Sequence, residues 1–180
     1  EMMTGLETKF TQPGVALSDG SLIRGYASVF GVKDRGGDIV MPGAYAASLK
    51  RLTEAGGRVR MLWQHDQGQP IGVWDEVVED THGLRVSGRL LTDVAKGREA
   101  AALMSAGAVD GLSIGYRTLR AEKQTGGGRK LYELELWEVS LVTFPMLPVA
   151  RVSAKEDTRG ESLMTVFAKG LDEARTALKR

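Results

Sequence analysis

Hydrophobic and polar residues alternate along most of this chain with a period of two, and the alternating runs are separated by turn-forming residues. Such alternation marks strands that bury one face. It is clear from Leu22 to Phe30, from Val59 to Trp63, from Ile71 to Val78 and from Leu84 to Leu91. Two later runs, from about Ser113 to Glu122 and from about Lys130 to Thr143, flank Thr125-Gly126-Gly127-Gly128, while Glu79-Asp80-Thr81-His82-Gly83 separates the third and fourth runs. Short Gly- and Asp-containing segments between alternating runs predict antiparallel hairpins. Helical spacing is rarer. Pro42 suits the first turn of a helix reaching about Ala55. Thr92 or Asp93 is placed to cap a helix from Val94 to Ala106, with Val94, Ala101, Leu103 and Met104 as apolar positions and Gly107 as the stop. After a polar segment from Ser153 to Gly160, the residues Leu163, Val166, Phe167, Leu171, Ala174 and Leu178 recur at helical intervals and predict an amphipathic helix over 161–180. The pattern gives a β-rich α+β fold: a mostly antiparallel barrel or half-barrel flanked by helices. It divides the chain into an N-terminal extension (1–20), a main domain (21–152), and a linker with a C-terminal helix (153–180).

Composition narrows the functions this fold serves. With 42% hydrophobic and 26% charged residues in 180, the chain has material for one domain with a real core. The 24 basic and 23 acidic residues leave a net charge of +1, so no bulk charge calls for nucleic acid or an anionic membrane as partner. The absence of Cys removes a thiol nucleophile, a disulfide framework and the usual structural zinc sites, and fits a reducing compartment. No run approaches the roughly 18 apolar residues of a membrane helix, and Glu1-Met2-Met3-Thr4 lacks the basic-then-apolar order of a signal peptide. A soluble protein is expected, and any covalent catalysis must use an oxygen or a Lys.

Three polar residues stand out against the apolar pattern. In the last run Tyr132, Leu134, Leu136, Glu138 and Val142 fall on one face, with Glu133, Glu135 and Trp137 on the other. A carboxylate among leucines is costly unless paired, so Glu138 is expected to meet a cation such as Arg117 or an imidazole. His65 shares a face with Val59, Met61 and Trp63 at the end of its run, and a lone His there is most often a satisfied core group. The other His, His82, falls in a turn. Ser113 is bracketed by Gly111 and Gly115, which leave room around its hydroxyl for a substrate; an ordinary strand serine is the plainer reading. If the strands bring Ser113, His65 and Glu138 together, the set is that which activates a serine for acyl transfer: nucleophile, general base, and orienting acid. Asp66 is the rival acid, ranked second because adjacent strand residues point to opposite faces. A zinc site from His65, Asp66 and His82 lacks ligand spacing. The glycines at 126–128 lack the following helix and Lys-Ser/Thr pair of a phosphate loop. Neither metal nor cofactor is expected.

Taken in order, Leu62-Trp63-Gln64-His65-Asp66 with Ile71-Gly72, Gly111-Leu112-Ser113-Ile114-Gly115-Tyr116, and Leu136-Trp137-Glu138-Val139-Ser140-Leu141-Val142-Thr143-Phe144-Pro145 resemble the prohead maturation proteases of tailed bacteriophages. The similarity runs from about residue 20 to 152 and includes Gly25-Tyr26-Ala27-Ser28-Val29-Phe30 and the stretch from Asp34 to Pro42 with its Gly36-Gly37-Asp38. That family is similar in turn to the herpesvirus assembly proteases, β-barrels surrounded by helices that use Ser, His and a third group. In those relatives the third group is a second His, where this chain has Glu138. The resemblance implies a serine endopeptidase, inside the procapsid in the host bacterial cytoplasm, that cuts scaffold segments from the capsid protein and commonly cuts itself. It implies His65 as general base, Ser113 as nucleophile and Glu138 as orienting acid, with self-association as in the viral relatives. Pro145-Met146 stands where the family commonly has Pro-Ala, and the backbone amides around Thr143 to Met146, those of Phe144 and Met146 foremost, are the expected oxyanion hole. The polar linker at Lys155-Glu156-Asp157-Thr158 is an expected self-cleavage site, and the helix after it an expected dock for scaffold, capsid protein or a second copy. The competing reading is a non-catalytic capsid-assembly module in which the three polar residues merely satisfy one another.

Overall fold

Strand-forming alternation produces nine strands among the residues described by the computed structural model, which are 7–11, 16–18 and 20–144, with side chains from 20 onward. They are β1 (Glu7–Thr11), β2 (Ala16–Ser18), β3 (Leu22–Val29), β4 (Ile39–Val40), β5 (Arg60–Trp63), β6 (Asp66–Glu79), β7 (Gly83–Leu90), β8 (Gly111–Lys123) and β9 (Arg129–Val142), with helices α1 (Ala46–Glu54) and α2 (Ala95–Ser105). All join one sheet in the order β1-β8-β9-β5-β6-β7-β3-β2, with β4 added to β9. The pairings are antiparallel except β5 with β9 and β4 with β9, which are parallel. The sheet curls into a half-barrel, and the curl is deep enough for the Trp74 indole on β6 to donate to the Val139 carbonyl on β9, two strands away, at 3.2 Å. Residues 7–11 and 16–18, left outside the alternating pattern, form the two end strands of the sheet. The helix expected over 161–180 and the linker before it lie outside the described residues.

Both expected hairpin turns form. Asp80 Oδ1 accepts from the His82 and Gly83 amides between β6 and β7, and Gly126, Gly127 and Gly128 all take positive φ between β8 and β9. The Gly36-Gly37-Asp38 stretch clamps onto the second hairpin: buried Asp38 accepts from the Arg129 amide at 2.8 Å and from its guanidinium at 2.7 Å, while a Cβ on Gly128 would sit 1.9 Å from the Gly37 carbonyl oxygen.

The helices differ from expectation at their starts. α1 begins at Ala46 rather than Pro42, and Tyr45 at its N-terminus offers no side-chain cap. Glu79 on β6 supplies the acceptor instead, taking the Gly43 and Tyr45 amides at 2.7 and 2.8 Å. Neither Thr92 nor Asp93 caps α2, whose N-cap is Val94; Val94 and Leu103 are exposed, and the buried face is Gly97, Ala100, Ala101 and Met104. Gly97 permits this seat, since a Cβ there would lie 2.2 Å from the Leu91 carbonyl oxygen. Gly107 ends α2 as expected: its amide bonds Met104 O and the next bonds Leu103 O, the reversed bonding that a left-handed glycine allows.

Candidate active site

A two-residue turn carries His65. β6 begins at Asp66, five residues before the alternation marks it, and pairs back on β5 with Trp63 opposite Asp66. Gln64 and His65 are the central turn residues, with φ of 51° and 62°, a conformation hairpins usually give to Asn-Gly. His65 is thus not on a strand face with Val59 and Met61; the ladder is irregular there, and Met61 and Leu62 are both buried. Non-glycine residues at positive φ are strained and persist where neighbours fix them. Here β9 and the residue after it do so: the Gln64 amide donates to Leu141 O at 2.9 Å, its side-chain nitrogen donates to Thr143 Oγ1 at 2.5 Å, and the His65 amide donates to Ser140 Oγ at 3.1 Å.

β8 and β9 bring the other two residues under that turn. Ser113 pairs with Ser140, and Gly115 with Glu138, in the antiparallel register. Ser113 and Ser140 have no exposed surface and Glu138 retains 4%. His65 Nε2 lies 2.7 Å from Ser113 Oγ, and its Nδ1 lies 2.5 Å from Glu138 Oε1. The second carboxylate oxygen, Oε2, accepts from Ser140 Oγ at 2.5 Å. An ionised carboxylate only accepts, so with an ionised Glu138 this bonding would put the imidazole proton on Nδ1 and leave Nε2 to accept from the serine hydroxyl.

Gly115 serves a different purpose from the expected one. A Cβ there would stand 2.1 Å from Glu138 Oε1, so the missing side chain makes room for the carboxylate rather than for a substrate. Arg117 does not pair with Glu138; it bonds Glu135 at 2.8 Å on the outer face. On β9 the buried face takes Leu131, Leu134, Leu136 and Glu138, and Tyr132 sits half-buried beneath the Arg120 guanidinium, because register shifts between residues 118 and 121 of β8 break the alternation. Asp66 is exposed and turned to its own strand, accepting from the Gly68 amide and from Gln69; the Gln69 bond first, then the Gly68 amide, holds its carboxyl below the usual range. His82 stacks edge-on against Tyr26 in the distant hairpin. Phe144 is 83% exposed just past β9, and Met146 lies outside the described residues. Ser140 had no role in the sequence reading. The signal was available, because it lies two residues from Glu138 and so shares its face.

An alcohol, an imidazole and a carboxylate in one hydrogen-bonded line is the constellation of hydrolases that work through an acyl-enzyme. Residues 8–164 match the family model described as caudovirus prohead serine protease, and the chain belongs to that family of phage capsid-maturation peptidases. It is 33% identical to the prohead protease of Enterobacteria phage HK97 over 157 residues, 86% of this chain and 67% of that one. Its fold is similar to that of the bacteriophage T4 capsid assembly protease, gp21, with a TM-score of 0.63 and 17% identity over 78% of this chain and 98% of that one.

Proposed function

We propose that this chain is a serine endopeptidase that cuts scaffold segments from the phage capsid protein inside the procapsid, with Ser113, His65 and Glu138 as its triad. The observation that carries the reading is the unbroken line from Glu138 Oε1 through the imidazole to Ser113 Oγ, with links of 2.5 and 2.7 Å. In this reading Ser113 Oγ attacks the scissile carbonyl carbon while its proton passes to His65 Nε2. Glu138 holds the Nδ1–H and stabilises the imidazolium that results. The tetrahedral oxyanion is received by backbone amides, assigned to Phe144 and Met146. Collapse expels the amine with the proton from Nε2, and the acyl-enzyme is then hydrolysed by a water that gives its proton to the same nitrogen. Self-cleavage in the linker at 155–158, self-association as in the herpesvirus proteases, action in the host cytoplasm and the division at 20 and 152 belong to the same proposal. Replacing Ser113 by Ala tests it: cleavage of scaffold-bearing capsid precursor falls by at least about 10³-fold with folding intact. Undiminished cleavage would rule Ser113 out as the nucleophile.

A further inference from the structure

The line from Glu138 to Ser113 runs outward across the sheet, from β9 to β8, and the next strand in that direction is β1. An electrophile approaching Ser113 Oγ away from His65 therefore approaches from the β1 side. That side is occupied. Residues 7–11 pair antiparallel with β8, with Phe10 opposite Ser113, Lys9 opposite Ile114 and Thr11 opposite Leu112. Ser113 has no exposed surface, so something next to it must move before a peptide bond reaches it. β9 is held on both edges and carries Glu138, whereas β1 is five residues long, ends the sheet and has β8 as its neighbour. A short end strand is the element that opens first.

We propose that the outer edge of β8 is where an extended peptide substrate pairs, and that residues 7–11 hold that edge in the resting chain and compete with it. This rests on the serine protease reading above. An extended peptide adding to a sheet edge gains main-chain hydrogen bonds irrespective of its sequence. The five positions of β8 now paired to β1, from Leu112 to Tyr116, would offer those bonds and lay the peptide beside Ser113. The occupant already seated there shows that the edge accepts an antiparallel segment of this length.

The test uses the full chain and a fluorophosphonate that labels activated serines. Thr8→Pro/Lys9→Pro removes the amide donor from two successive residues of β1, one of which faces β8 whichever way the strand alternates. The loosened chain should label at least tenfold faster than the parent, Ser113→Ala should abolish labelling in both, and a free peptide of residues 5–13 should slow the loosened chain again. Equal labelling of parent and loosened chains overturns the competition and leaves the serine reading standing; labelling the peptide does not slow overturns the pairing. No labelling of either chain defeats the serine reading and this inference with it. Should the proline chain not fold, hydrogen exchange on the parent decides: amides of 7–11 and of the outer edge of 112–116 should exchange together and before those of β9, and protection equal to β9 overturns the proposal.

Discussion

Ser140 holds the acid and the backbone of the base together, its hydroxyl donating to Glu138 Oε2 and accepting from the His65 amide. Removing it frees the carboxylate to rotate and leaves a strained turn without one of its ties. Ser140→Ala should lower kcat on the order of 10–100-fold with little change in KM, as loss of alignment rather than of binding. The low-field proton resonance of the Nδ1–H···Oε1 bond should shift or broaden in parallel; unchanged kcat and an unchanged resonance would remove Ser140 from the positioning role. At this scale the sequence was readable in part. Glu138 announced itself as a polar group on an apolar pattern, because burying such a group is costly without partners; His65 drew notice by the same pattern although it sits in a turn and not on that face. What Gly115 was for, and why Arg117 would go to Glu135, depended on the register of β8 against β9, which no single residue encodes.

At the scale of elements, the long strands and their glycine turns were legible because alternation and positive φ leave direct marks in a sequence. The Gln64-His65 turn left none. Its strain is maintained by Leu141 and Ser140 of β9 and by Thr143 just past it, all more than seventy residues away, and the capping of α1 likewise comes from another element, Glu79 on β6. The β6–β7 hairpin permits a pH prediction. Asp80 is held below the usual carboxylate range chiefly by the hydrogen bond from the Tyr26 hydroxyl, at 2.7 Å, and then by the Gly83 and His82 amides, against some opposing desolvation. Its folded value lies below its unfolded one, so the stabilisation is complete above about pH 4 and fades as pH falls through the folded value. The same bond raises Tyr26, whose share is complete below about pH 10 and is lost as pH rises through its folded value. Asp80→Asn should therefore lower Tm near neutrality, and the gap to the parent should narrow as pH falls below about 4. A gap that stays constant down to pH 2 would show that the Asp80 charge does not contribute.

Over the whole molecule, a β-rich chain with a mostly antiparallel barrel or half-barrel followed from strand count and turn spacing, whereas the parallel placings of β4 and β5 on β9 did not. Those depend on long-range pairing: β9 is the strand that β4, β5 and β8 all join, and it is the one that carries both Glu138 and Ser140. The end strands β1 and β2 were invisible for a related reason, being short segments stabilised by a neighbour rather than by their own pattern. The central claim is that residues from three separated stretches act as one proton-transfer unit. It is tested most directly by measuring kcat/KM on capsid precursor for Ser113→Ala, His65→Ala and the double variant. Members of one unit lose nearly the same activity singly as together, so the double variant should be no more than a few-fold below either single. Losses that multiply would mean that the two side chains work independently, and would contradict the account.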